Sequence, residues 1–158
     1  GVPQPNGGSM DGPAWHPNIV VVGIDGSDHS RHAASVAASL AEKNDSHLHL
    51  MTVVRPPEGW WGIVGSPPTP SALSKTLTDA QREILDSVLR DLDLSGVTYE
   101  TIEEIGDPAR MLVEHCNEVD ADLLIVGSRG AGFLERLVLG SVANRVAHDA
   151  PCPVLLVP

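Results

Sequence analysis

Leu123-Leu124-Ile125-Val126-Gly127-Ser128-Arg129-Gly130 is a continuous apolar run that gives out into glycines, and after nine intervening residues stands Gly140-Ser141. A short run of this kind, closed by turn residues, reads as a strand buried on both faces, the pattern of a parallel sheet. A helical pattern starts near Ser141, with Val142 and Val146 inward. Glycine at a strand end and again at a helix entry lets backbone N–H groups approach an anion without Cβ interference. Two such places, set apart by a fixed insert, read as a loop wrapped around a polyphosphate.

The same rhythm extends outward along the chain. Ile19-Val20-Val21-Val22 is another buried-strand run, stopping at Asp25-Gly26-Ser27, and a helix follows with Ala33, Val36, Ala37 and Leu40 on one stripe. Asn44-Asp45 closes that helix, and a strand runs from about His47 to Val54. Arg55 to Pro70 holds five prolines and three glycines, too many for a regular element, so it reads as a long loop. Leu77, Ala80, Ile84 and Val88 mark a second helix that ends before Gly96. Val97 to Ile105 reads as a strand, which Gly106-Asp107-Pro108 turns into a helix with Pro108 near its first position and Ala109, Leu112, Val113 and Cys116 inward. Asp122 to Val126 and Val154 to Val157 are the last two strands, flanking the helix that starts near Ser141 and exits at Pro151 and Pro153. Five strands alternating with four helices predict an α/β fold, a single doubly wound parallel sheet covered by helices on both faces.

Bulk properties narrow the function. The chain has 158 residues, enough for one domain with a sizeable core. Its net charge of −11, with only ten Lys and Arg, argues against nucleic acid or a membrane surface as partner. A phosphate held by backbone amides remains compatible with that charge. No stretch approaches the roughly 18 apolar residues of a membrane helix, and no signal-peptide core is seen, so a cytoplasmic location is expected. Cys116 and Cys152 read as small buried hydrophobes in a reducing compartment. Residues 1–16, rich in Gly and Pro, are expected to be disordered and in part tag-derived, leaving 17–158 as the domain.

In doubly wound sheets, ligands bind beyond the carboxyl ends of the strands, where strand order reverses. If the first and fourth strands are neighbours, Asp25-Gly26-Ser27 and the Gly127–Ser141 loop open onto one crevice. There Asp25 can accept from ribose hydroxyls or meet a phosphate-linked Mg²⁺, directly or through water. The helix beginning near Ser141 would aim its N–H groups and positive dipole end at phosphate.

Other constellations are weaker. There is no G-x-x-x-x-G-K-[S/T], no G-x-G-x-x-G, and Ser128 lacks the flanks of a nucleophile elbow. Ser27 with His29 and His32 is expected to be a helix start with solvated histidines. His47 and His49, two apart on a strand, share a face as metal ligands must, yet the sequence suggests no third ligand nearby. A satisfied polar pair at a sheet edge is the expectation. Trp60 and Trp61 in the long loop can stack on a base, pin the loop or meet a partner subunit. Glu103-Glu104, Asp91 and Asp93 read as a solvated face, with no sign of acid–base pairing.

Gly127, Gly130, Gly140 and Ser141 match G-x2-G-x9-G-[S/T] without gaps. With the Asp25-Gly26-Ser27 and Gly106-Asp107-Pro108 turns, the chain resembles the universal stress protein family in its ATP-binding branch, over about residues 17–158. The resemblance implies a strand order of 3-2-1-4-5. It implies an ATP site, with Mg²⁺, in which Asp25 and its Gly26 turn lie on the ribose and phosphate side and Val53 meets adenine through its backbone. Gly127 would sit by the ribose, and Gly130, Gly140, Ser141 and Val142 would hold the phosphates. Arg129 stands where family members often carry another polar residue, and it can reach a γ-phosphate. The resemblance further implies a homodimer through the Val154–Val157 strand, acting as a nucleotide-dependent regulator in stress. Slow ATP hydrolysis, or a dimerisation module binding another adenine nucleotide such as cyclic AMP, are the alternatives. The related adenine-nucleotide α-hydrolases open with an S-G-G-x-D-S type loop, whereas here the first strand ends Gly23-Ile24-Asp25-Gly26-Ser27.

Overall fold

The computed structural model describes residues 14–56, 70–129 and 139–158, and every structural statement below concerns those residues. The expected disorder of residues 1–16 therefore falls, up to residue 13, outside them. So do Trp60, Trp61 and Gly130.

Five strands, β1 (Ile19–Ile24), β2 (His47–Val54), β3 (Thr98–Ile105), β4 (Leu123–Gly127) and β5 (Val154–Val157), alternate with four helices. The helices are α1 (Asp28–Asn44), α2 (Pro70–Asp91), α3 (Pro108–Val119) and α4 (Ser141–Asp149). The sheet is wholly parallel, ordered β3-β2-β1-β4-β5, as expected. β1 and β4 lie side by side, with Val20 opposite Leu123 and Val22 opposite Ile125. The order reverses between them, which creates the crevice where such sheets bind ligands.

Alternation along each strand divides the core into two layers. Val20, Val22, Ile24, Leu48, Leu50, Leu123, Ile125 and Val157 pack with α1 and α2. Val21, Met51, Val53, Leu124 and Val126 pack with α3 and α4 through Ala109, Leu112, Cys116, Ala143 and Val146. Cys116 is buried as expected, whereas Cys152 is only half-buried; both are free.

Caps set the helix boundaries. Ser27 Oγ accepts from Ser30 N at 3.1 Å to start α1, and Asp45 ends it in the left-handed region at φ 54°. Asp107 Oδ2 accepts from Arg110 N at 3.0 Å to start α3, with Pro108 in the first turn as expected.

In two helices the buried face includes most of the expected stripe but extends beyond it. In α1 the buried face is Ala33, Ala34, Ala37, Ala38 and Ala41, while Val36 and Leu40 sit at its margin. The small alanines let the helix backbone come close to the sheet, and close approach decides which face goes inward. α2 begins at Pro70, earlier than its apolar stripe suggests, and buries Gln81 while Ala80 faces solvent. Gln81 Nε2 donates to the carbonyls of Thr52 (3.2 Å) and Glu104 (2.5 Å), so a polar side chain is satisfied against strand backbone. The acidic residues are partly paired: Arg82 meets Glu103 at 2.9 Å and Arg31 meets Asp91 at 3.1 Å.

The expectation of a histidine pair at a sheet edge fails. β2 is an inner strand hydrogen-bonded to both β1 and β3, and His49 is 5% exposed. Register brings Glu100 of β3 opposite His49, a cross-strand neighbour that linear spacing does not reveal.

Candidate functional site

At the carboxyl ends of β1, β2 and β4, on the side of α3 and α4, lies a cavity of about 310 Å³. That volume is at the lower end of the range for small-molecule sites. Its walls come from Gly23, Ile24 and Asp25 at and just past the end of β1, Met51, Val53 and Arg55 at and past the end of β2, Val126, Gly127 and Arg129 at and past the end of β4, and Gly140–Ala143 at the start of α4. Seven of the nine residues singled out in the sequence, Asp25, Val53, Gly127, Arg129, Gly140, Ser141 and Val142, line it together. Gly26 stands just outside, and Gly130 lies outside the described residues.

The local chemistry explains why these groups converge. Asp25 is exposed, and its Oδ1 accepts from Ser27 N at 2.9 Å, closing the turn that Gly26 permits at φ 85°. Asp25 N is held in turn by Ser30 Oγ at 3.2 Å. Among the described residues, Oδ2 has no protein partner, so one carboxylate oxygen stays available to a ligand hydroxyl or cation.

α4 starts without a side-chain cap. Its N-cap is Gly140, which has no side chain to satisfy the first N–H groups, in contrast to Ser27 on α1 and Asp107 on α3. Gly140 N donates to Ser128 O at 2.8 Å, fixing the helix entry against the β4 turn. The following N–H groups start a helix whose end carries roughly half a positive charge, at the wall of the cavity.

Arg55 was missed by the sequence reading because it falls in the first position of a proline-rich loop. Its Nη2 is 3.0 Å from Asp107 Oδ1, and Arg145 Nη1 reaches Asp107 Oδ2 at 3.0 Å. Asp107 thereby caps α3 and holds two guanidinium groups beside the site. With Arg129, the cavity has two lining arginines in a protein of net charge −11.

Gly127 proves to have a packing role. A Cβ placed there would come within 2.8 Å of His29 Cβ, 2.9 Å of the His29 carbonyl carbon and 3.1 Å of Ser30 N. Glycine at the end of β4 is required by the first turn of α1.

The hydrolase-like grouping of Ser27, His29 and His32 disperses. Ser27 Oγ caps α1, and His32 Nδ1 lies 2.8 Å from the Pro158 carbonyl oxygen. Among the described residues lining the cavity, Asp25 is the sole carboxylate and there is no histidine.

Comparison with known proteins agrees with this architecture. The model of the universal stress protein family matches residues 17–158. The chain belongs to the universal stress protein family. Universal stress protein MJ0531 of Methanocaldococcus jannaschii is 35% identical over 145 residues, covering 87% of this chain and 80% of that protein. The solved structure of universal stress protein UspA from Lactobacillus plantarum superposes with a TM-score of 0.69 at 22% identity, over 90% of this chain and 99% of that one, and shares the fold. A universal stress protein solved in complex with cAMP is 30% identical with a TM-score of 0.61, over 90% of this chain and 98% of that one. Among the described residues, no helix is long and apolar enough to cross a membrane.

Proposed function

We propose that this universal stress protein binds an adenine nucleotide, ATP with Mg²⁺, in the cavity between β1 and β4, and acts as a nucleotide-dependent homodimeric regulator. The observation that carries the reading is the uncapped start of α4 at the wall of that cavity. Phosphate oxygens take the N–H groups of Ser141 and Val142, which no side chain occupies. Arg129 and Arg55 supply charge toward the outer phosphates. Asp25 Oδ2 serves the ribose or a phosphate-linked Mg²⁺, a hard cation suited to one carboxylate plus phosphate and water oxygens. Val53 lies one residue past the last β1–β2 partner pair, Ile24 with Thr52, so its backbone edge on that side is open to the base.

The arrangement supports binding over catalysis, since Asp25 gives one of its two oxygens to its turn and, among the described residues, no second carboxylate or histidine lines the wall to pair with it. A homodimer through β5 is supported by an unpaired outer edge beside an apolar strip of Leu155, Val36 and Leu40. Leu155 is 37% exposed there. An apolar edge of this kind calls for a covering partner.

A second reading, cyclic AMP as the ligand, is supported by the 30% identical relative in complex with cAMP. The test is to denature purified protein, identify any released nucleotide by mass, and titrate ATP, ADP and cyclic AMP by calorimetry with and without Mg²⁺. Mg²⁺-enhanced binding of ATP supports the first reading, and tighter binding of cyclic AMP without Mg²⁺ favours the second. No released nucleotide and no heat with any of the three refutes both. Asp25→Ala should weaken ATP binding less than a bulky residue at Gly140, because the amide cradle survives it.

A further inference from the structure

We propose that His47, His49 and Glu100 form a second site, for a divalent transition ion of the zinc class, on the same face of the sheet as the nucleotide cavity but at its opposite end. The three donor atoms lie within 4.8 Å of one another. His47 and His49 are two apart on β2 and so project to one face, with ring centroids 4.9 Å apart. Glu100 is in register with His49 on β3, and its Oε1 is 3.1 Å from His49 Nε2. A tetrahedral ion with ligand distances of roughly 2.0–2.2 Å needs its donors roughly 3.3–3.5 Å apart, so the widest pair must close by up to about 1.5 Å, within the reach of a rotamer change at the half-exposed Glu100. Glu100 is half-exposed, which gives its carboxylate room to swing and gives the ion a route in from solvent.

The surroundings are those of a metal ligand held in place. His49 Nδ1 is 2.8 Å from His115 Nε2 on α3. Metal-bound imidazoles characteristically engage a partner through the other ring nitrogen, which fixes both ring orientation and tautomer. Without the ion, Glu100 accepts from His49 Nε2–H, and His49 Nδ1 accepts from His115 Nε2–H. With the ion on Nε2, the His49 proton resides on Nδ1 and is donated to His115 Nε2, whose own proton moves to Nδ1. Both rings remain neutral through this exchange. Two imidazoles and one carboxylate leave a fourth position for water, the donor set of an open site. Imidazole-rich sets favour zinc, copper and nickel over magnesium or calcium.

The test uses the full chain without a histidine tag, freed of metal with a chelator, and titrated separately with Zn²⁺ and Co²⁺. One equivalent should bind, and Co²⁺ should give the intense visible absorption of a four-coordinate site. The imidazole NMR signals of His47 and His49 should shift with Zn²⁺, a readout that needs no variant. His47→Ala and Glu100→Gln, both at partly exposed positions, should each weaken Zn²⁺ binding by about 10-fold or more with unchanged circular dichroism. His115 is a positioning residue: His115→Leu should weaken binding by about 10- to 100-fold, and His115→Gln, which restores an acceptor, should recover part of it. Failure of the wild-type chain to take up either metal at several-fold excess overturns the proposal. So does uptake that persists undiminished in the His47→Ala, Glu100→Gln double variant, since the ion would then sit on other histidines. Uptake that disappears in Asp25→Ala would place the ion at the nucleotide cavity and equally overturn it.

Discussion

Replacing Gly127 with alanine separates a ligand role from a packing role for the glycine that ends β4. The added Cβ meets two His29 atoms at 2.8 and 2.9 Å and Ser30 N at 3.1 Å, where carbon contacts normally rest near 3.5–4.0 Å. Relief requires α1 to retreat by roughly 0.8 Å, but its buried Ala33, Ala34, Ala37 and Ala38 are already packed on the sheet. Over-packing of this kind costs about 1–3 kcal/mol, and obstruction by backbone places Gly127→Ala at about 2–3 kcal/mol. In a domain of this size that lowers the melting temperature by about 5–10 °C. The assay is thermal and urea unfolding of nucleotide-free protein, followed by circular dichroism. A double variant with His29→Gly removes the 2.8 Å contact but leaves the backbone ones, so it should recover less than half of the loss. A nucleotide-free melting temperature within about 1 °C of wild type would refute the packing argument and return Gly127 to the ligand.

Gly140→Asp should move two properties in opposite directions. A carboxylate at the N-cap of α4 satisfies its first N–H groups and raises ligand-free stability by about 0.5–1 kcal/mol. The same group repels phosphate and should weaken ATP binding by at least about 10-fold, as calorimetry and melting curves will show. Leu155→Lys places a charge on the exposed apolar strip at β5 and should convert the proposed dimer to monomer in sedimentation without changing the fold; a persisting dimer would put the interface elsewhere. Burial pushes the Cys116 thiol up to about 12, with Cys152 adding to the shift. The native protein at pH 8 should therefore resist alkylation at Cys116, which becomes reactive on unfolding. The raised value also has a stability sign: its contribution is fully present below the ordinary 9.0 and is lost as pH rises from there toward about 12. Urea midpoints that stay flat between pH 8 and 11 in wild type and in Cys116→Ala alike would contradict it.

The elements of this protein were legible in its sequence because their causes are local. Apolar runs such as Ile19–Val22 and Leu123–Val126 bury on both faces wherever they pair, and Ser27, Asp107 and Pro108 start helices through bonds and dihedrals within a single turn. The alternation of strands and helices sufficed for the α/β class, while the strand order came through the family resemblance carried by Gly127, Gly130, Gly140 and Ser141 with the Asp25-Gly26-Ser27 and Gly106-Asp107-Pro108 turns. Tertiary structure alone decided the rest. Which further residues joined the inward faces of α1 and α2 depended on how close each helix can approach the sheet, hence Ala34, Ala38 and Ala41 in α1 and Gln81 in α2. Gly127 is glycine because of a helix a hundred residues earlier in the chain, and Arg55 belongs to the cavity because Asp107 holds it there. His49 gains Glu100 through strand register and His115 through helix packing. Register and packing are cooperative properties of the whole sheet, so no window of sequence around His49 contains them.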